Sequence, residues 1–323
     1  MELFKYRGNF GRDLISLSLN QIYAPTYDRL NDPFEGMMDF LEDYKTLEYF
    51  KSINGNDNLR IAYDVIIEEL KNVGVYSLSK NEKNEILWSL YANGHEGFVI
   101  GYDVNKLLQD INFNIVSPLA NIVSVGYETY PKGLLRWGDL PYNGLNLSNA
   151  IGIKSKSWEY ENEVRIVFEQ NGINEYNYKA VSRIIFGMRT SKENITNTMK
   201  LLKGRSYRYQ QIIKEENSFN LELIELKDLS SSNFVYQQNF AEFDESLISQ
   251  ENIECKNSKI LADIKDVINT IRGLPNITEI TSVNLDSEKS PEILNIFCNH
   301  NHKNLPVRFF QFENSNNGFK QIN

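Results

Sequence analysis

The residues best suited to chemistry lie in the stretch KSWEYENEVRIVF, residues 156–168. Glu161, Glu163 and Arg165 occupy alternate positions there, and the apolar residues between them predict a β-strand. On a strand the two carboxylates would project to one side, roughly 6–7 Å apart at the backbone. In a cleft, their repulsion and burial would raise at least one pKa, and Arg165 would oppose that rise. A solvated strand face with an ion pair is the simpler interpretation of the same pattern.

Two other predicted strands carry polar side chains that would suit a ligand. VGVYSLSK (73–80) places Ser77 and Ser79 on one face. Two small serines leave room for a ligand and offer hydroxyl hydrogen bonds, although a polar sheet edge produces the same pattern. ELFKYR (2–7) places Arg7 on a strand near the N-terminus. A guanidinium can hold a phosphate with two parallel hydrogen bonds, whereas a lone arginine on a strand is more often exposed.

A loop and a histidine are weaker candidates. In NDPFE (31–35), Asp32 precedes a proline, and this pairing favours a tight turn closed by side-chain to backbone hydrogen bonds. Asp32 and Glu35 could instead contribute to a magnesium or calcium site, because those cations prefer oxygen ligands. His95 follows a predicted helix end, where capping or packing explains it. Acid–base catalysis is the alternative role for His95 if it lines a cleft.

Composition excludes several classes of protein. The chain has 323 residues, a formal net charge of −9 and a pI of about 5.1, so it is a poor general partner for nucleic acid or anionic membranes. Hydrophobic residues make up 41%, which is enough for a packed core. The N-terminus lacks the apolar core of a signal peptide, and no run approaches the roughly 18 apolar residues that span a bilayer. We therefore expect a cytoplasmic protein without a membrane partner.

Compact catalytic motifs are missing from the sequence. It contains no dinucleotide-binding glycine fingerprint, phosphate-binding P-loop, serine-hydrolase elbow, HExxH or paired CxxC. The two cysteines are too far apart in sequence for the spacing of metal ligands. We expect no metal cofactor.

The order of predicted elements indicates an α+β fold with a mixed, largely antiparallel sheet. Strand, helix, strand, two helices, strand and helix come first and mostly strands follow, which is not the alternation of a parallel sheet. A main domain is expected over residues 1–230 and a linker rich in Ser, Asn and Gln over 231–255. A small α/β unit is expected over 256–323, led by a helix with isoleucines on one face.

Three blocks of the sequence resemble the recurring blocks of a large bacterial family of unknown function. They are NDPFE (31–35), LWSLYANGHEGFVIGYD (87–103) and KSKSWEYENEVRIVF (154–168). Together with the N-terminal KYR-like strand, the resemblance covers about residues 1–230 and leaves out the C-terminal unit. This family has no established reaction, so the resemblance to it does not imply an activity.

The order of Arg7, the Ser-x-Ser strand and the later Glu-x-Glu is similar to that of the arginine–serine–glutamate class of ADP-ribosyltransferases. The resemblance implies that Arg7 holds the NAD phosphates and that Ser77 and Ser79 support the nicotinamide pocket. It also implies that Glu163 stabilises an oxocarbenium-like transition state and that Glu161 helps the acceptor attack. In such a site Tyr91 or Tyr76 could stack on nicotinamide, but a place in the core is the more common role for both.

The resemblance implies a function: an NAD-using ADP-ribosyltransferase or NAD glycohydrolase, in the role of a toxin or phage-defence effector. NAD would be the substrate, and a protein or nucleic acid would be the acceptor. Two alternatives stay open. One is a magnesium-dependent hydrolase or nuclease that uses Asp32, Glu35 and the two later glutamates. The other is a non-enzymatic sensor or interaction module in which Trp88 and Trp158 belong to the core.

Overall fold

A computed structural model describes residues 1–113, 119–135, 150–230, 234–239, 241–248, 258–302, 305–315 and 317–322. An eight-stranded sheet organises the N-terminal part of the chain, and only one pair of neighbouring strands in it, β10 and β11, is parallel. The expected α+β fold with a largely antiparallel sheet is confirmed. In spatial order the sheet contains β12 (Leu221–Leu226), β11 (Arg208–Lys214), β10 (Val181–Phe186), β4 (Phe98–Asp103), β1 (Glu2–Arg7), β3 (Gly74–Ser79), β8 (Glu163–Phe168) and β5 (Ala120–Ser124).

Helices and short strand pairs surround this sheet. Two small sheets each join two strands, one antiparallel and one parallel. Their strands are β2 (Gln21–Ala24) with β9 (Gly172–Glu175), and β6 (Gly126–Glu128) with β7 (Ile153–Ser155). The helices described in this part include α1 (Phe10–Ser18), α2 (Phe40–Asn54), α3 (Asn58–Leu70), α4 (Glu85–Tyr91), α5 (Val104–Ile111) and α6 (Lys192–Leu201).

The two faces of the large sheet bury different sets of side chains. Because side chains alternate along a strand, Leu3 and Tyr76 face the largest core, into which α1, α5 and α6 also pack. Phe4 and Tyr6 face the opposite side, where they pack with Trp88 of α4. The ring centroids of Tyr6 and Trp88 are 5.4 Å apart. These two faces decide which candidate site residues can meet.

The sheet is weakly joined between β1 and β3. One registered pair, Phe4 with Ser79, links these strands, whereas six registered pairs link β1 to β4. Beyond that pair the Lys5 amine donates a hydrogen bond of 2.7 Å to the Ser77 carbonyl. The weak junction leaves space at the centre of the sheet, next to the serines singled out above.

One prediction about an individual element is wrong. The strand expected to carry both Glu161 and Glu163 begins only at Glu163. Glu161 ends a 3₁₀ turn, Lys156–Glu161, and Asn162 follows in the left-handed conformation with φ of 46°. Asparagine tolerates that conformation better than most residues, so the local sequence allows a turn directly before the strand.

A second sheet of five strands forms the C-terminal part, and helix α7 (Ser258–Arg272) packs on it. The predicted linker, 231–255, is described only over 234–239 and 241–248. Tyr236 in this segment accepts a hydrogen bond from Asn20 and lies 4.0 Å from the Arg205 guanidinium. In the described part of the chain, no helix is both long and apolar enough to cross a bilayer. The strands of the second sheet are β13 (Glu242–Phe243), β14 (Ile277–Asp286), β15 (Ile293–His302), β16 (Leu305–Ser315) and β17 (Gly318–Gln321).

Candidate functional site

A cavity of about 210 Å³ opens at the weak junction between β1 and β3. Strand β1 contributes Phe4 and Tyr6 to its wall, and β3 contributes Ser77 and Ser79. Helix α4 adds Tyr91, and the segment that ends in the NDPFE loop closes one side. Other lining residues are Lys5, Arg29, Leu30, Asn31, Glu35, Leu78, Leu87, Lys154, Glu161 and Glu163.

Lys154 of β7 lies among three carboxylates at the floor of this cavity. Its Nζ is 2.6 Å from Glu161, 3.2 Å from Glu163 and 3.4 Å from Glu35. All four side chains are at most 8% exposed. Burial alone would lower the pKa of Lys154, but the charges of Glu163, Glu161 and Glu35 raise it above its usual value. Lys154 is therefore a permanent cation that brings carboxylates from separate segments together.

Arg165 is the second cation of this cluster, and its side chain is fully buried. Its Nη2 donates to both oxygens of Glu35, at 2.7 and 2.8 Å, and its Nε donates to Glu163 at 2.9 Å. Its Nη1 donates to the Ile151 carbonyl at 2.7 Å. Hydrogen bonds of this charge-assisted kind are about twice as strong as neutral ones. Arg165 thus fixes the carboxylates of Glu163 and Glu35.

Glu163 is held in its ionised form. Burial alone would raise the pKa of Glu163, but the charges of Arg165 and Lys154 and hydrogen bonds from Arg165 and Ser77 lower it to about 2. At Glu163 the expected opposition from Arg165 prevails, since the two cations and their hydrogen bonds outweigh burial. Burial does dominate for Glu35, whose pKa lies above its usual value despite Arg165 and Lys154.

Glu161 reaches the cluster from its turn and not from the strand. Its carboxylate accepts a hydrogen bond of 2.7 Å from the Tyr91 hydroxyl, in addition to the one from Lys154. The Ser79 hydroxyl donates to the Glu161 backbone carbonyl at 2.7 Å and so holds the turn against β3. Burial and the nearby Glu161 raise the pKa of Tyr91, which keeps its hydroxyl protonated as a donor.

The structure brings five predicted site residues to one cavity: Glu161, Glu163, Ser77, Ser79 and Tyr91. Arg7 does not line it. Arg7 lies on the face of β1 that carries Leu3, where its Nη2 donates to the Tyr76 hydroxyl at 3.3 Å and its Nη1 is 3.9 Å from Asp13. The registered pair of Phe4 with Ser79 places the serines on the other face.

His95 also lies away from the cavity. Its ring stacks on Trp88, with centroids 5.9 Å apart, and its Nε2 is 3.5 Å from the Ser89 hydroxyl. Burial and the charge of Arg189 lower the pKa of His95. The packing interpretation of this histidine is therefore the one that its contacts fit.

The contacts also bear on a metal site. Asp32 accepts a hydrogen bond from the Phe34 backbone amide at 3.0 Å, so the predicted side-chain turn is confirmed. Glu35, Glu161 and Glu163 do converge, but Lys154 and Arg165 occupy the space between their oxygens. Among the residues that the structure describes, no group of three or more acidic, histidine or cysteine side chains could hold a metal ion.

Sequence reasoning missed Lys154 and Arg29 as cavity residues. Lys154 stands just before the KSWEYE turn and seven residues before Glu161, and it is this turn that brings the two side chains together. Its aromatic neighbour Trp158, 4.9 Å from Nζ, gives a cation–π contact that the sequence does not signal by any fixed spacing. Lys5 lines the cavity as well. Burial, and secondarily the charge of Arg7, lowers the pKa of Lys5 to about 7.

One comparison with known proteins gives a match. Residues 87–166 contain a domain whose family is described as a protein of unknown function, DUF2971. The matched segment begins in α4 and ends within β8, and it includes Tyr91, Lys154 and the two glutamates. No curated protein and no solved structure matches the chain. The expected resemblance to an uncharacterised family is thus confirmed for this segment.

Proposed function

We propose that this chain is an NAD-using enzyme that breaks the bond between nicotinamide and ribose, as an ADP-ribosyltransferase or an NAD glycohydrolase. The supporting observation is the convergence of the ionised Glu163, the Ser77 and Ser79 strand and Tyr91 on a single cavity. In this proposal a toxin or phage-defence role, with a protein or nucleic acid as acceptor, follows by analogy alone.

The proposed reaction needs negative charge at one fixed point. When the bond from the ribose carbon to nicotinamide breaks, its electron pair leaves with nicotinamide and positive charge develops on the ribose. A carboxylate that is already in place stabilises that charge without reorganisation. Glu163 meets this requirement because its low pKa keeps it ionised and Arg165 fixes its position. The acceptor oxygen or water then bonds to the ribose carbon, and its proton passes to Glu161.

Carboxyl groups outnumber cations in this cluster. Three of them, those of Glu35, Glu161 and Glu163, face two cations, Lys154 and Arg165. The charge of Glu163 is secured by its low pKa, and in a buried place a charge acts more strongly than in water. This carboxylate favours a ligand that is positively charged or becomes so during the reaction.

Two enzyme variants test the proposal. Glu163→Gln keeps the shape and removes the charge, and its rate of nicotinamide release from NAD should fall by roughly 10²–10³, as for other fixed electrostatic groups. Glu35→Gln is the matched control because it removes one carboxylate from the same cluster without a proposed role in catalysis. Its rate should fall much less, and urea unfolding should confirm that both variants are folded.

Two results would contradict the proposal. One is a wild-type protein that releases no nicotinamide from NAD. The other is an equal loss of rate in Glu163→Gln and Glu35→Gln, since the effect would then come from a disturbed ion cluster and not from the proposed catalytic carboxylate.

An interaction module remains a second candidate because of one observation. Helices α2 and α3 expose several large apolar side chains, among them Leu41 at 65% and Ile61 at 61%. Groups of exposed apolar residues are typical of protein–protein interfaces. Binding of a partner protein that is abolished by Leu41→Glu, in a chain that never turns over NAD, would favour this candidate.

A further inference from the structure

We infer that Arg29, at the edge of the cavity, holds the diphosphate of the ligand in the place expected for Arg7. This inference rests on the proposed function, since NAD is the ligand that requires a diphosphate contact. It assigns to the segment just before the NDPFE loop a recognition role that the sequence did not predict.

The size of the cavity is the first step of the argument. Pockets that bury a drug-sized ligand enclose about 300–1,000 Å³, whereas this one has about 210 Å³. NAD is larger than a typical drug, so only part of it fits. The part that must reach Glu163 is the nicotinamide and its ribose. The diphosphate must then lie at the opening of the cavity, where it meets solvent.

The state of each cation in the cavity wall is the second step. Lys154 is engaged by three carboxylates at 2.6 to 3.4 Å. The Lys5 amine is half-buried and donates to the Ser77 carbonyl at 2.7 Å. Arg29 is exposed, and its guanidinium makes no ion pair or hydrogen bond with another residue that the structure describes. Of these three cations, Arg29 alone is available to an anion.

The segment that carries Arg29 is held at the cavity. Tyr27–Arg29 form a 3₁₀ turn in which the Arg29 amide donates to the Thr26 carbonyl at 3.1 Å. Two residues later, the Asn31 side chain donates to the Tyr91 hydroxyl at 3.4 Å. A guanidinium on such an anchored segment loses less freedom when it binds a phosphate with two parallel hydrogen bonds.

Arg12 lies beside a different depression of the surface and therefore serves as the control for Arg29. It is also exposed, but it pairs with Asp13 and lines a separate open depression that shares Tyr91 with the cavity. If the ligand left the cavity toward α1, Arg12 would contact the diphosphate in place of Arg29. Substitution of each arginine therefore distinguishes the two directions.

The test is calorimetric binding of ADP-ribose, NAD and nicotinamide riboside to the full chain. ADP-ribose has the diphosphate and is not cleaved at the nicotinamide bond, and nicotinamide riboside lacks the diphosphate. Arg29→Ala should weaken ADP-ribose binding by roughly tenfold or more, the loss expected for a charge-assisted hydrogen bond. Arg29→Lys should lose less, and Arg12→Ala should lose nothing. Nicotinamide riboside should bind equally to all four proteins.

The outcomes separate this inference from the proposed function. If ADP-ribose binds in an Arg29-dependent way but nicotinamide is never released from NAD, the diphosphate site is supported and the proposed reaction is wrong. The inference is overturned if the wild type does not bind ADP-ribose, if Arg12→Ala causes the larger loss, or if Arg29→Ala weakens nicotinamide riboside as much as ADP-ribose.

Discussion

Two buried clusters of titratable side chains, one in each sheet, differ in how far their charges are compensated. In the large sheet, Glu163 stays ionised because Lys154 and Arg165 contact it directly. In the C-terminal sheet, Cys298, His300, His302 and Arg308 also lie buried together. Here burial raises the pKa of Cys298 to about 12 and lowers the pKa of His300 to about 4. Contacts with cations therefore secure the charge of Glu163, whereas burial favours the neutral forms of Cys298 and His300.

The difference between the clusters lies in their partners. Arg165 has carboxylates on two sides, whereas burial lowers the pKa of Arg308 to about 10 and its Nη1 has no hydrogen-bond partner among the described residues. Charges that are paired and lie at a cavity can act on a ligand. Groups that burial holds neutral, such as Cys298, contribute to a core. The comparison therefore favours the first cluster as the proposed site and a packing role for the second.

Replacement of Arg165 should give the largest effect on stability. Arg165→Met leaves Glu35 and Glu163 buried without their main partner, and breaking a buried pair in this way costs about 3–5 kcal/mol. Urea unfolding at pH 7 measures the loss. Arg208→Met is the control, because Arg208 pairs with Glu225 on the surface and exposed pairs contribute about 0–1 kcal/mol. Equal losses in the two variants would show that the cluster is not energetically coupled.

The second-largest expected effect is the change of stability with pH that Glu163 causes in the first cluster. The pKa of Glu163 is lowered to about 2 in the folded state, so between pH 4.5 and 2 the unfolded chain binds a proton that the folded chain does not. Its stabilising contribution is present above pH 4.5 and is lost as pH falls, by up to about 3 kcal/mol. The acid-induced loss of stability should be smaller in Glu163→Gln than in wild type. Identical pH profiles would contradict the ionised state.

Features that depend on residues close together in sequence could be predicted, whereas features that depend on contacts between distant segments could not. Strand β1 was predicted to the residue and β3 to within one residue at each end, because the pattern of apolar and polar residues along a strand is a local property. That Arg7 and the serines occupy opposite faces depends on the registered pair of Phe4 with Ser79. A shift of one residue would reverse the faces, and single-strand patterns carry no information on register.

Several residues of the candidate site could be predicted from the sequence, but the contacts between them could not. Glu163, Ser77 and Ser79 were singled out from their spacing, and they do line one cavity. The contact of Arg165 with Glu35 spans 130 residues of chain. Nothing in either local segment signals that contact. The turn that carries Glu161 is followed by Asn162, a residue that tolerates the left-handed conformation but does not require it, so the start of the strand was predicted too early.

The second cluster should change the stability of the protein at a higher pH than Glu163 does. Burial lowers the pKa of His300 from 6.5 to about 4, so between those values the unfolded chain takes up a proton and stability falls as pH falls. Between pH 6.5 and 5 the loss is about 2 kcal/mol. His300→Asn keeps a donor for the Leu305 carbonyl and should remove that loss. Glu163→Gln should not alter this window, and a change there would mean that the clusters titrate together.

Replacement of Arg308 should give the smallest effect and complete the comparison with Arg165. Arg308→Met removes a cation whose burial is poorly compensated and keeps an apolar side chain near Phe310. It also removes a hydrogen bond to the Phe113 carbonyl. These changes oppose each other, and replacing a poorly paired buried ion by an apolar residue is often neutral, so urea unfolding should change by no more than about 1 kcal/mol. A loss as large as that of Arg165→Met would mean that the C-terminal cluster depends on its charge after all, since only a compensated cation is costly to remove.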